Sequence, residues 1–578
     1  MSSPKYTAAF VGVALLAILA AATNNPLSTL LSKPSPPSPC RCFPGDACWP
    51  TPNEWNRFNK TLGGKLVATV PVGAVCHDSS FGPYDAARCS ALRETWLLSS
   101  THYTTTSSPM APFFANTSCD PFTPPSAPCE LGAHVHYAVN ATTASDYQAT
   151  LKFAREKNIR LVVRSTGHDY MGKSTGAGAL ALWTRYVNKI DVVDYKSKQY
   201  TGKALRVGAG AHGGDAQQVA HDAGLVVVAG NCPSVSLAGG FTQGAGLSPL
   251  SARLGLAADN VLEWEVVTAQ GKRVVATPEK NEDLFWALSG GGPGTFGLVL
   301  SATVKAHAGV RASTASIGFA YGEGVEQEVF WEAVGTFLTT LPALVDRGVY
   351  VVYTLVANMF NVAPIIAPGM SPEELQTLLG PVFAKLDQSG IPYQSTLDEF
   401  PTFHEAHTKT SPDPGVLEAN MGSRLIPRSV LSSTDSAADL VDAIRSLVES
   451  GLLFSGVSFN VSRFASSQTA VNPAWRSSIT SGVFGSFFNR TSYEVNIADQ
   501  KRVTEVYVPR LSAVTGDNAY MNEADFREPE WQKVFYGENY ARLLKVKRKY
   551  DPEGMLYALT AVGSEGWEVR SDGRLCKV

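Results

Sequence analysis

The feature that most constrains this chain is the placement of its nine cysteines. Cys40, Cys42, Cys48, Cys76, Cys89, Cys119 and Cys129 crowd the first quarter, while Cys232 and Cys576 stand alone. Dense cysteine reads as a disulfide framework when a chain is exported and as metal ligation or redox chemistry when it is not. The start of the chain favours export: Lys5 precedes an apolar run from Ala8 to Leu19, and Ala20-Ala21-Ala22 offers small residues for cleavage. That run is shorter than the roughly 20 residues a membrane span needs. Sequons at Asn59, Asn116, Asn140, Asn460 and Asn489 are glycan candidates in the same compartment. Zinc is not expected, because there is no C-x2-C pair and no histidine pair at ligand spacing beside the cluster. His404 and His407 lie close together in a polar stretch that reads as surface. An odd cysteine total leaves at least one thiol outside any disulfide set.

At 578 residues the chain calls for more than one folded unit, and 44% apolar composition is enough for sizeable cores. A formal charge of -3 gives no basic footprint for nucleic acid or an acidic membrane. Residues 23–39 are rich in Pro, Ser and Thr and read as a leader. After another Pro-rich stretch at 121–128, helix and strand patterns alternate to about residue 306. A helix is expected over 144–157, and strands over 160–164, 205–207, 226–228 and 261–269. From about 310 to 505 the character changes. Helices at 326–341, 372–388 and 437–450 and strands at 348–356 and 453–464 suggest an antiparallel sheet covered by helices. A basic amphipathic helix over 539–550 ends at Asp551-Pro552. No solenoid repeat is visible.

Two glycine-rich segments carry the chemistry. In Arg164-Ser165-Thr166-Gly167-His168-Asp169-Tyr-Met-Gly172-Lys-Ser174-Thr175 a strand runs into a loop of small residues. Such backbone N–H groups can wrap a pyrophosphate, though a surface turn holding one satisfied histidine has the same pattern. In Gly230-Asn-Cys232-Pro-Ser-Val235-Ser-Leu-Ala-Gly239-Gly240 the glycines let backbone approach a flat ligand. Cys232 there is either a site of covalent chemistry or a small buried hydrophobe.

Together with Leu254–Val261, with Asp283–Gly297 and with Asn539–Pro552, these segments resemble the berberine-bridge-enzyme-like branch of the vanillyl-alcohol-oxidase flavoprotein family. The opening Cys40-Arg-Cys-Phe-Pro-Gly-Asp-Ala-Cys48 is similar to secreted fungal members. The motif coverage runs from about 130 to 310 and from about 515 to 556. The resemblance implies an α+β fold: a two-part PCMH-type FAD-binding domain over 130–309, a substrate-binding domain over 310–504, and a 505–578 segment returning to the first. A signal peptide at 1–22 and a Pro/Cys-rich segment at 23–129 would precede them.

Carried over by residue, the resemblance implies that His168 bonds the 8α carbon of FAD and Cys232 bonds C6. Arg164–Asp169, Gly172, Ser174, Thr175, Gly230, Val235, Gly239 and Gly240 would line the cofactor. Removing Cys232 leaves an even eight cysteines, with Cys576 tied back to the N-terminal cluster. Three departures stand out: Phe241 where plant members often have histidine, Ala245 inside the usual triple glycine, and Thr166 before Gly167-His168. Gly292-Pro-Gly294-Thr-Phe-Gly297 satisfies a dinucleotide pattern, but Leu298–Val304 reads as a strand, which excludes a Rossmann loop.

In the family this chain resembles, the residue after a Tyr-x-Asn motif points into the active site; with Tyr520-Met-Asn522 here, the resemblance implies Glu523 as general base, with Tyr520 and Asn522 orienting it. A glutamate in water at a strand end is the alternative. In that family the third residue after the flavin-linked cysteine helps decide whether O2 reaches the flavin; here it is Val235, smaller than Leu or Ile, so the resemblance implies an oxidase releasing hydrogen peroxide. The expectation is a secreted monomer that takes a hydride from an alcohol-type small molecule. The other readings are an oxidative step on a secondary metabolite, ring closure included, and a flavin-binding protein with little turnover.

Overall fold

The computed structural model describes residues 40–115, 118–322, 324–413 and 415–578. The expected signal peptide, the leader and the Asn116 sequon lie outside the described residues. Cys40–Val578 forms one compact unit, and among the described residues no helix is long and apolar enough to cross a membrane.

Three sheets organise it. The smallest has four strands, in the order Leu66–Ala68, Tyr137–Asn140, Leu180–Trp183, Leu161–Arg164. Its last three strands are mutually parallel, and Leu66–Ala68 joins them antiparallel. The cysteine-rich segment therefore contributes a strand to this sheet. Parallel strands buried on both faces need continuous apolar runs, and Leu180–Trp183 is buried at every position. The helix Ala144–Glu156 opens on a capping box between Thr143 and Asp146 and buries Tyr147 and Leu151 against the sheet.

A five-stranded antiparallel sheet follows, ordered Ile190–Lys196, Thr201–Gly208, Leu298–Lys305, Val261–Val267, Arg273–Ala276. Leu298–Lys305 is a strand, so the Gly292–Gly297 loop does not lead into a helix. The expected strand at 226–228 pairs only over Leu225–Val226.

The third sheet has seven antiparallel strands, in the order Tyr393–Phe400, Ala312–Ala320, Met359–Pro368, Tyr350–Val356, Leu453–Ser458, Ser478–Phe487, Ala419–Pro427. Helices Gln327–Asp346, Pro372–Gln388 and Thr434–Glu449 bury their apolar stripes on one face of it. Pro372–Gln388 starts as expected because Ser371 and Glu374 form a capping box ahead of a first-turn proline. Strand alternation then sorts Tyr350–Val356: Val351, Tyr353 and Leu355 face the helices, while Tyr350 and Val352 face the other way, toward Val226, Val228, Leu250 and Ala257.

Two expectations need correction, and the alternative placement of Glu523 falls away. His407 is buried, not superficial, because its helix Phe403–Thr410 packs that face inward with Phe403 stacked on the imidazole. The strand at 453–464 stops at Ser458, and Ser462–Phe464 is a single 3-10 turn. Glu523 sits in a turn after Tyr520, with its N–H donating to the Tyr520 carbonyl at 2.9 Å, not at a strand end.

The helix Tyr540–Tyr550 closes the fold on the first two sheets. Buried Lys547 donates to the carbonyls of Thr295 (2.9 Å) and Leu556 (2.6 Å) and to Asp551 (2.7 Å). Asp551 in turn accepts the N–H groups of Met555 and Leu556 at 2.8 Å. Disulfides join Cys40–Cys576, Cys42–Cys48, Cys76–Cys89 and Cys119–Cys129, leaving Cys232 as the free thiol. The Cys42 and Cys48 sulfurs, which lie near Asp46, are thereby spent on a disulfide.

Candidate active site

A cavity of about 380 Å³ opens where the glycine-rich segments, the C-terminal segment and the seven-stranded sheet meet. Ser165–Asp169, Ser174, Gly230, Cys232, Val235, Gly239, Gly240, Tyr520, Asn522 and Glu523 all line it. Arg164, Gly172 and Thr175, singled out from the same segments, lie behind the lining rather than on it.

Arg164 ends its strand beneath the 165–169 loop. Its Nη2 donates to the His102 carbonyl at 3.1 Å, while Nε and Nη1 are buried with no partner. Gly167 bridges it: φ is +83°, and a Cβ there would lie 2.5 Å from the guanidinium. Only glycine lets the loop pass this close over the cation. Asp169 folds the next turn, accepting from Met171 N (3.0 Å), Ser174 N (2.6 Å) and Ser174 Oγ (2.8 Å). Lys173 lines the cavity with its buried Nζ unpartnered, and burial pushes its pKa down to about 8. Burial likewise pulls Arg164 down to about 10. Two buried cations with orphaned donors beneath a loop of free N–H groups fit an anionic group such as a pyrophosphate.

The second glycine-rich segment turns over Leu237–Phe241, where Gly239 leaves helical geometry (φ -84°, ψ -137°) and kinks the backbone. Gln243 holds it to the 292–294 loop: its Nε2 donates to Gly239 O (2.9 Å), and its carbonyls accept from Gly292 N (2.9 Å) and Gly294 N (3.3 Å). Asn522 docks on the same turn, with Nδ2 3.1 Å from both Gly240 O and Tyr520 Oη. A Cβ on Gly244 would lie 2.4 Å from that amide, so the contact requires glycine. Ala245 stands in the triple-glycine position and carries the strained φ of +112°.

His168 and Cys232, 64 positions apart in the chain, converge on Ser234. His168 Nε2 lies 2.8 Å and Cys232 Sγ 3.5 Å from Ser234 Oγ. Ser234 Oγ donates to Asp413 at 2.9 Å, and Ser99 donates to the same carboxylate. Burial holds His168 down to about 4, with Asp413 opposing, so the imidazole is neutral. Burial raises the Cys232 thiol.

Glu523 lines the same cavity as His168 and Cys232, with its pKa pushed up to about 7 by burial. Tyr170, Tyr350 and Tyr520 are raised, first by burial and then by the Glu523 charge. Sequence reasoning missed Ser99, Lys173, Ser234, Gln243, Tyr350 and Asp413. Ser234 and Lys173 were legible as neighbours of singled-out residues. Asp413 lies in a Pro-Asp-Pro stretch with no pattern to mark it.

Residues 135–277 match the FAD binding domain model, and residues 519–562 match the berberine and berberine-like model. The FAD-linked oxidoreductase sor8 of Hypocrea jecorina is 44% identical over 581 residues, covering 100% of both chains. The VAO-type flavoprotein oxidase VAO615 of Thermothelomyces thermophilus is 42% identical over 93% of this chain and 95% of its own. The crystal structure of VAO-type flavoprotein MtVAO615 from Myceliophthora thermophila C1 superposes with a TM-score of 0.89 at 40% identity, covering 93% of this chain and 100% of that one. With orphaned cations under one loop, a glycine platform under the other and relatives of this extent, the chain belongs to the berberine-bridge-like branch of the VAO-type flavoproteins and is an FAD-linked oxidoreductase.

Proposed function

We propose that the protein is a secreted oxidase that removes a hydride from an alcohol-type small molecule and holds its FAD through both His168 and Cys232. The observation that carries this reading is the placement of Glu523 in the same cavity as His168 and Cys232, with a pKa near neutrality. FAD, when bound, supplies a two-electron acceptor that passes its electrons to O2 as hydrogen peroxide.

The chain's own residues do the rest. Residues 130–309 and 505–578 would hold the cofactor and 310–504 the substrate. Arg164, Lys173 and the loop N–H groups would neutralise the pyrophosphate, Gly230, Gly239 and Gly240 would give the flat ring a surface, and Gly172, Ser174 and Thr175 would shape the turn. Glu523 takes the hydroxyl proton as the substrate carbon is oxidised, a task suited to a base poised near working pH. Tyr520 and Asn522 fix the turn that presents it. Val235, on the cavity wall, leaves O2 a path. Four disulfides agree with an extracellular location, and a monomer is expected.

A specific observation favours an apolar alcohol over a carbohydrate. The seven-stranded sheet lines the cavity with Tyr350, Val352 and Val457, which offer one hydroxyl among them. A polyol would leave most of its hydroxyls unpaired there. A 40% identical relative is named a bifunctional decalin synthase, from Penicillium decumbens, which keeps a secondary-metabolite substrate in view.

The test is an absorption spectrum before and after acid precipitation, beside Cys232→Ala, followed by a donor screen with peroxide detection. Colour retained in the pellet and peroxide from apolar alcohols are expected. Flavin that washes out wholly overturns the covalent attachment, and bound flavin with no peroxide from any donor overturns the oxidase.

A further inference from the structure

The Ser99–Ser234–Asp413 cluster has no part in substrate oxidation as described above, yet it is built around the imidazole. An ionised carboxylate only accepts hydrogen bonds, so Ser99 and Ser234 must each give it their single hydroxyl proton. Ser234 Oγ can then only accept at its remaining contacts, of which His168 Nε2 at 2.8 Å is the shortest, ahead of Ser99 Oγ at 3.1 Å and Cys232 Sγ at 3.5 Å. His168 Nε2 therefore carries the proton, and Nδ1, which makes no hydrogen bond among the described residues, keeps its lone pair. Asp413 is itself fixed by Gly415 N at 3.0 Å and comes from the loop before the strand Ala419–Pro427, far from His168 in sequence. The oxygen that accepts from Gly415, Oδ1, also lies 3.8 Å from Cys232 Sγ, while both serines use Oδ2.

From this geometry we propose that Ser234 and Asp413 are positioning residues for self-catalysed flavin attachment: they fix the His168 tautomer so that Nδ1 is the nucleophile, and they receive the Nε2 proton as the bond forms. The inference rests on the covalent reading above. Attachment joins Nδ1 to the 8α carbon of FAD and breaks the imidazole N–H bond and one methyl C–H bond. Two protons and two electrons leave in total, and O2 takes them as hydrogen peroxide. Asp413 holds the imidazole proton through Ser234 until solvent takes it. A second-layer group that sets tautomer and basicity in this way acts as an outer-shell partner does for a metal-bound histidine.

The test uses the full chain in a Cys232→Ala background, where His168 is the one remaining tether. Protein produced with little flavin is incubated with FAD, and acid-stable flavin is followed over time, with peptide mass spectrometry locating the bond. Ser234→Ala and Asp413→Asn should attach flavin at least tenfold more slowly while still binding it reversibly, and Ser234→Thr, which keeps the hydroxyl, should restore the rate. Parental rates in Ser234→Ala and Asp413→Asn overturn the relay, as does a Ser234→Thr variant as slow as alanine, since that marks a packing role. Should the Cys232→Ala parent itself never form acid-stable flavin at His168, the covalent reading fails first and the relay with it.

Discussion

One wall of the cavity is backbone, glycine and buried cation; the wall facing it is Tyr350, Val352 and Val457 projecting from an antiparallel sheet. The first wall spends its side chains beneath the surface, where Arg164 and Lys173 hold donors for a ligand that brings negative charge. The second presents bulk and little hydrogen-bonding capacity. One is suited to a fixed anionic cofactor and the other to a variable, weakly polar guest. Glu523 stands at their boundary, and this is why its carboxyl is raised: it meets apolar surroundings without a cation beside it.

Breaking that boundary has the largest expected effect. Glu523→Gln should lower kcat by about 10²-fold or more, as loss of a general base does, with flavin content unchanged by absorbance. Because the folded pKa is raised from 4.5 to about 7, the group's contribution to stability is fully present below pH 4.5 and lost as pH rises through about 7. The wild type should thus lose melting temperature relative to the glutamine variant across that window while kcat, which needs the carboxylate, climbs. Parallel kcat and stability profiles would break the assignment.

The largest effect on stability, as distinct from turnover, is expected of Lys547→Met, which leaves Asp551 buried without its partner. Removing one member of a buried pair costs about 3–5 kcal/mol, read as a shift in the urea midpoint. Gly167→Ala tests the cofactor wall: a side chain at positive φ costs about 1–2 kcal/mol, and displacing Arg164 should reduce flavin bound per chain. Smallest is Val457→Asn on the opposite wall, expected to raise KM for apolar alcohols about tenfold, the equivalent of about 1.4 kcal/mol, with flavin content intact. A variant on either wall that altered the other wall's readout would show that the two are coupled.

The cofactor wall was legible in sequence because its demands are local. His168, Cys232 and the glycines follow one another along two short segments, and a loop that must wrap an anion shows its composition. The sheet of the other wall was half legible. Tyr350–Val356 and Leu453–Ser458 read as apolar runs, but Ala312–Ala320, Ala419–Pro427 and Ser478–Phe487 carry Ser, Thr, Gly and Arg inside the sheet and hid their periodicity. Some of these polar positions are satisfied from outside the sheet, as Arg424 is by Ser512 and by Glu528 at 2.8 Å, while the buried hydroxyls of Ser423 and Ser481 have no partner among the described residues. His407 was misjudged for a related reason, since a short helix buries one face whatever the polarity of the stretch around it. Asp413 was invisible because its meaning lies in Ser234, 179 positions away.

The Cys40–Cys576 bond has a consequence of its own. It closes a covalent ring over 536 positions of sequence, so the chain from one bridgehead to the other is topologically circular. A protease that cuts once within that ring releases no fragment. The nicked protein should run as a single species without reductant and separate into two only when the bond is reduced.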